Sequence, residues 1–261
     1  MCLITLSWQP ESPTPLIIAA NRDEFYARPA LRLHHWADHA ILAGKDVQAG
    51  GTWLGIASAT DKKHLRLAAL TNYRDTARHN RDAPSRGHIT TSFLKGLMSA
   101  RTYLDMLSTT AHLYNPFNLV LFDGQELMGF ESRHARAWAL PPGISAVSNA
   151  DFNTPWPKLV RLQHDVEQAL ALQRSGPQLE KELFKLLAHN VVAPDAELPQ
   201  TGIPLTRERA LSAAFIRTSE YGTRACSVLT IGTQRADFSE RSYEADGFKS
   251  EVREHLSWST P

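Results

Sequence analysis

Cys2 directly follows the initiator methionine. Removal of Met1 is expected before a side chain as small as that of cysteine, and it leaves one residue carrying a thiol and a free α-amine. A free thiol titrates at about 8.5 and an α-amine at about 7.7–8.0. A nucleophile and a base of matched pKa then share one residue, the logic of a self-contained N-terminal nucleophile. The other reading of Cys2 is a small buried hydrophobe, the commoner behaviour of free cysteine. An acyl-transfer site also needs donors for an oxyanion and a charged frame to hold the amine. Residues of those types close apolar runs at Asn21-Arg22-Asp23-Glu24, Thr71-Asn72, Ser148-Asn149 and Tyr221-Gly222-Thr223-Arg224. Taken singly, each cluster also fits a turn or a helix cap. Taken together with Cys2, they supply Asn72 and Asn149 as amide donors and Asp23 with Arg224 as the charged frame.

The elements that must position these groups read as follows. Leu3 to Trp8 and Leu16 to Ala20 alternate as strands around a proline-rich turn, which predicts a hairpin. Antiparallel pairing then places Asn21 to Glu24 beside Cys2, at the hairpin's open end. Further strands are predicted over 40–44, 50–57, 65–71, 117–122, 126–131, 135–140, 143–147, 214–218, 223–232 and 235–243. Helices are predicted over 88–99, 101–112, 158–173 and 177–190, from apolar residues at helical spacing. Residues 191–210 read as a proline-rich loop, and 249–258 as a last strand or a short helix. The charged stretch 74–86 is long enough to be a functional loop; its Arg74, Arg78, His79, Arg81 and Arg86 suit either an anionic ligand or a solvated surface. Strands and helix pairs come in blocks, without the strict alternation of a parallel sheet. The pattern predicts an α+β fold of two antiparallel sheets with helices outside, in one domain spanning 1–261.

Composition narrows the function classes. The net charge of +1 leaves no basic field for nucleic acid. Two cysteines, Cys2 and Cys226, are no disulfide framework and suit a reducing compartment. No apolar run approaches the ~20 residues of a membrane span. The first residues lack a secretory pattern, and a functional Cys2 is incompatible with a cleaved leader. A cytoplasmic protein is expected. His34, His35 and His39 lack partners at ligand spacing, so no metal is expected.

The ordered stretches Met1-Cys2, Ala19-Ala20-Asn21-Arg22-Asp23-Glu24-Phe25, Gly50 to Gly55, Ala69-Leu70-Thr71-Asn72-Tyr73, His112 to Asn115, Ser148-Asn149, Thr154-Pro155-Trp156-Pro157-Lys158-Leu159 and Tyr221 to Arg224 resemble the NRDE-motif family, also called the transport and Golgi organisation 2 family. The resemblance covers nearly the whole chain. It implies a four-layer αββα N-terminal-nucleophile (Ntn) fold, with a distant similarity to choloylglycine hydrolases and penicillin V acylases. By that similarity Cys2 is the nucleophile and Asp23 holds the α-amine. Asn72 and Asn149 serve the oxyanion and substrate, and Arg224 fixes the charged centre. Asn21, Arg22, Glu24, Trp53 and Tyr73 are the candidate ligand-binding residues; Trp53, like Trp156, suits core packing as well as a pocket wall. One position departs: the hydrolases carry an arginine three residues before the aspartate, where this chain has Ala20. Arg22 alternates to the face opposite Asp23, and replaces that arginine only if the backbone bulges.

Two functions follow from the resemblance. One is a small-molecule amidase, thioesterase or acyl-transfer enzyme that needs no cofactor. The other is a binding and trafficking protein that holds haem, acyl-CoA or another lipid-like anion in the same pocket.

Overall fold

The computed structural model describes residues 2–37, 40–58, 64–172 and 174–258. Strands run over Cys2–Trp8 (β1), Leu16–Phe25 (β2), Ala30–His35 (β3), Ile41–Asp46 (β4), Leu54–Ser58 (β5) and Leu65–Asn72 (β6). Two helices follow, Gly87–Lys95 (α1) and Ala100–Thr110 (α2). The strands Phe117–Phe122 (β7), Leu127–Glu131 (β8), Arg136–Ala139 (β9) and Gly143–Val147 (β10) come next. Helices Pro157–Ala171 (α3), Gly176–Leu187 (α4) and Leu205–Leu211 (α5) precede the strands Tyr221–Ile231 (β11), Arg235–Glu244 (β12) and Gly247–Ser257 (β13).

All pairings between these strands are antiparallel. One sheet has the order β10-β1-β2-β11-β12-β13 and the other β3-β4-β5-β6-β7-β8-β9. Three apolar layers separate four layers of structure. Ile4, Leu6, Ile18 and Ala20 meet Ile56, Leu67 and Val120 between the sheets. Phe93, Leu104 and Leu107 of α1 and α2 cover the seven-stranded sheet with Ala68 and Phe130. Leu159, Leu162, Leu183 and Phe184 of α3 and α4 cover the six-stranded sheet through Leu3, Ala19 and Cys226. The chain is an α+β sandwich. Both faces of β1 are covered, and all seven of its residues are buried. That is why β1 carries apolar residues on both faces, Leu3 toward the helices and Ile4 and Leu6 toward the other sheet, rather than a strict alternation.

Several elements differ from the sequence reading. Ala30–His35 is a strand although only Leu33 of it is buried, so it lacks the apolar alternation that marks a strand. Gly50 to Trp53 lie outside the strand. Gly50 has φ +75°, and the strand starts only at Leu54. The first helix stops at Lys95, because Gly96 takes an extended conformation as its C-cap. Residues 205–211 form α5 behind Pro204, where a loop was expected. Residues 214–218 make only an isolated bridge, Arg217 to Gly222. The tail is a strand, β13. The expected metal-free His39 lies outside the described residues, as does Met1. No helix among the described residues is long and apolar enough to cross a membrane.

Candidate active site

The hairpin register fixes the site. Cys2 pairs with Arg22, and Ile4 with Ala20. Side chains alternate along a strand, so Cys2, Ile4, Ala20, Arg22 and Glu24 share the face that looks toward the other sheet. Asn21 and Asp23 turn to the helix layer. Positions 20 and 22 share parity, so Arg22 lies on the face of position 20 without the bulge that the sequence reading required. β2 runs in register past Arg22, and the irregularity falls instead on β11, between Thr223 and Ala225.

At the open end of the hairpin the sheets part around a cavity of about 870 Å³. Cys2, Arg22, Asp23, Glu24, Trp53, Asn72 and Arg224 all line it. Its remaining wall is rich in charge, with Arg28, Asp46, Arg81, Arg86 and Glu240 among the lining residues. Cys2 is 6% exposed, and burial raises its thiol above the ordinary cysteine value. The group is therefore a thiol at neutral pH and needs a base.

Arg22 and Arg28 converge on Asp46 at 3.3 and 2.6 Å, and Glu24 lies 3.8 Å from both arginines. Burial pushes the Asp46 carboxyl up, but its bonds from Arg28 and from the Ala49 amide outweigh that and hold it below the usual range. Arg86 is drawn in from the 74–86 stretch, where it donates to the Pro116 carbonyl at 3.0 Å. Burial lowers it to about 10, with the Cys2 and Glu24 charges acting the other way. The segment's end is held against the cavity wall by a backbone approach so close that a Cβ on Gly51 would meet the Gly87 carbonyl carbon at 2.4 Å. Arg81 and Arg86 thus face the cavity, whereas Arg74 is buried elsewhere, paired with Glu208 at 2.6 Å and stacked over Trp156.

Asp23 is buried and accepts a hydrogen bond from Thr223 Oγ1 at 2.7 Å. Burial raises its carboxyl; Lys158 acts most strongly in the opposite direction. Lys158 is not among the candidate residues that the sequence motifs nominate. The signal lay in its spacing, four residues before Leu162 on the buried stripe of α3.

The other sequence-predicted residues separate. Asn21 donates to the carbonyls of Leu187 and Ala214, and so ties β2 to the helix layer away from the cavity. Asn149 is buried, and donates to the Asn72 carbonyl at 2.8 Å. Ser148 donates to the Cys2 carbonyl at 3.1 Å. Tyr73 stands under Arg133, away from the cavity lining. Arg224 lines the cavity, but its guanidinium donates to the carbonyls of Phe25, Tyr26, Arg28 and Tyr243. Cys226 is a core residue at 0% exposure. Among the described residues no group of three His, Cys, Asp or Glu is placed to hold a metal ion.

A two-sheet α+β sandwich with a charged cleft at the end of its first hairpin is the class that fold and site define. Residues 1–245 match the profile of the family described as Transport and Golgi organisation 2. The chain is 34% identical to a Bos taurus Transport and Golgi organization protein 2 homolog, over 93% of each chain. It is 34% identical to the Mus musculus homolog, again over 93% of each. A Drosophila melanogaster Transport and Golgi organization protein 2 is 29% identical over 84% of this chain and 82% of its own length. The chain belongs to the Transport and Golgi organisation 2 family.

Proposed function

We propose that this chain is an N-terminal-nucleophile enzyme, with the αββα layering of that fold, which cleaves an amide or thioester bond in a small polar molecule. The observation that carries the reading is the placement of Cys2 in the wall of the cavity, one register step from Asp23 on the neighbouring strand. Because burial keeps the thiol protonated, a base must take its proton. After loss of Met1 the Cys2 α-amine is that base. β1 and β2 are antiparallel, so the nitrogen end of Cys2 is directed toward the Asp23 end of β2. Asp23, held by Thr223, orients the amine.

The thiol proton passes to the α-amine as Sγ attacks the carbonyl carbon and forms a C–S bond. The developing oxyanion is met by the Asn72 side chain, and Asn149 fixes the Asn72 main chain through its carbonyl. The ammonium returns the proton to the leaving nitrogen as the C–N bond breaks, and water then releases the acid from the thioester. With a thioester substrate the leaving atom is sulfur and the sequence is the same. No step requires a cofactor.

A second reading rests on Arg22, Arg81 and Arg86 in the same wall. Arginine suits carboxylate or phosphate, so the cavity also fits a carrier for an anion such as haem or acyl-CoA. Intact mass and substitution separate the two. The enzyme reading expects Met1 to be absent, and turnover in an amide and thioester screen to be lost in Cys2→Ala. Retained Met1, or unchanged turnover in both Cys2→Ala and Cys2→Ser, overturns it. Saturable haemin or acyl-CoA binding with no turnover favours the carrier.

A further inference from the structure

Lys158 occupies the second position of α3 and is 4% exposed. Its Nζ is buried with no hydrogen-bond partner among the described residues. Burial disfavours an ammonium without such partners. The partial positive charge at a helix N-terminus disfavours it further. A methionine would fill the same space at no such cost, so packing does not account for a lysine here. What does account for it is charge. Asp23 of β2 is turned to this side of the sheet, buried, with Thr223 as its hydrogen-bond donor. Burial raises the Asp23 carboxyl, and Lys158 is the strongest influence against that rise; burial lowers Lys158, and Asp23 is the strongest influence that keeps it charged.

The other charged groups acting on Lys158 come from three elements. They are Cys2 of β1, Arg74 after β6 and Glu208 of α5. Tyr221 of β11 acts on Asp23 and Arg74 from the side. On the outer side, Arg161, Asp165, His189 and Glu197 share a shallow hollow with Lys158. Arg74 and Glu208 satisfy each other at 2.6 Å, which leaves Asp23 and Cys2 as the anionic groups for Lys158.

We propose that Lys158 is a positioning residue of the Cys2 site: from behind the sheet, its ammonium keeps Asp23 ionised, and thereby fixes the charge of the N-terminal amine that Asp23 holds. This rests on the reading of Cys2 as an N-terminal nucleophile. Burial brings Lys158 down to about 8, so its proton is lost within the range where an enzyme is assayed. Above that pH, Asp23 loses the strongest of the positive charges acting on it, and its hold on the amine weakens.

The test uses iodoacetamide as probe, with alkylation of Cys2 followed by peptide mass spectrometry from pH 6 to 10. Cys226, fully buried, serves as the unreactive internal control. The wild-type rate is expected to show a Lys158 ionisation near 8 besides those of the thiol and the α-amine. Lys158→Met is expected to lose the Lys158 contribution, so that its profile flattens near pH 8, and to react about tenfold more slowly at pH 7, the effect of one pK unit on the thiol. Lys158→Arg, whose charge persists throughout the range, is expected to lack the step while keeping most of the rate at pH 7. A side chain that only packs would leave all three profiles parallel. Superimposable profiles with Met1 absent by intact mass overturn the Lys158 assignment alone. Retained Met1 overturns the nucleophile reading, and with it the proposal. Where Lys158→Met does not fold, a Lys158→Arg profile superimposable on that of the wild type is sufficient to overturn it.

Discussion

The side-chain amide of Asn149 is bonded to the main-chain oxygen of Asn72 at 2.8 Å, and the Asn149 carbonyl in turn accepts from the Arg74 amide at 2.7 Å. Two asparagines that look equivalent in sequence therefore have different tasks. Asn149 joins the end of β10 to the end of β6, and so links the two sheets at the cavity's edge. Asn72 lines the cavity. Asn149→Ala is expected to cost about 1–3 kcal/mol, the penalty of a buried acceptor left unsatisfied. Asn72→Ala is expected to melt close to wild type and to lower turnover. Equal melting temperatures for the two variants would refute this division.

Arg224 gives a second separation of structure from chemistry. Its guanidinium collects three carbonyls from the last residue of β2 and the turn after it, at 3.0–3.1 Å. The β11 bulge puts it there, since it shifts the register between Thr223 and Ala225. Arg224→Met is expected to lose about 1.5–3 kcal/mol, as hydrogen bonds to a charged group commonly do. The rate of Cys2 alkylation by iodoacetamide should stay within about twofold of wild type, as expected of a group that supports the turn. A large change in that rate with unchanged stability would place Arg224 in the chemistry.

The hairpin, the apolar strands and the polar residues that end them were legible, because period-two patterning and strand pairing are local properties. The pairing of Cys2 with Arg22 follows from the loop length and the register alone. What escaped was held by tertiary contacts. Ala30–His35 pairs with β4 while exposing most of its side chains, and Glu240 of β12 secures it by accepting the Leu33 amide at 2.8 Å. No periodicity marks such a strand. The roles of Asn149 and Arg224 were hidden for the same reason: both are spent on backbone groups far away in sequence. Lys158 was hidden differently. A lysine in the first turn of a helix is read as solvated unless the buried stripe is traced back to it.

The Arg74–Glu208 pair offers a stability test outside the cavity. Both side chains are about 5% exposed, at an N···O separation of 2.6 Å. Glu208 also accepts from the Thr201 amide at 3.0 Å. Removing one partner strands the other charge, so Arg74→Met is expected to cost about 3–5 kcal/mol. The double variant Arg74→Met, Glu208→Gln should recover a large part of that loss in chemical denaturation. A double variant no more stable than Arg74→Met alone would show that the loss comes from the Trp156 contact rather than from the stranded carboxylate.

Lys158 should also leave a mark on stability against pH. Its value falls from 10.5 in an exposed lysine to about 8 in the fold, because burial disfavours the ammonium. Between those two values the unfolded chain holds a proton that the folded chain has released. Stability rises with pH wherever the unfolded state binds more protons, so the Lys158 contribution climbs across this window. Below it, the charged lysine weakens the fold by an amount on the order of 3 kcal/mol. Cys2, Cys226 and Tyr103 oppose the trend at high pH, since burial raises all three. The measurement must therefore be a difference between wild type and Lys158→Met, which share those groups. The stability of wild type relative to Lys158→Met is expected to climb between pH 8 and pH 10 in urea denaturation. A gap that stays constant across that range would mean that Lys158 enters the fold with an ordinary lysine pKa.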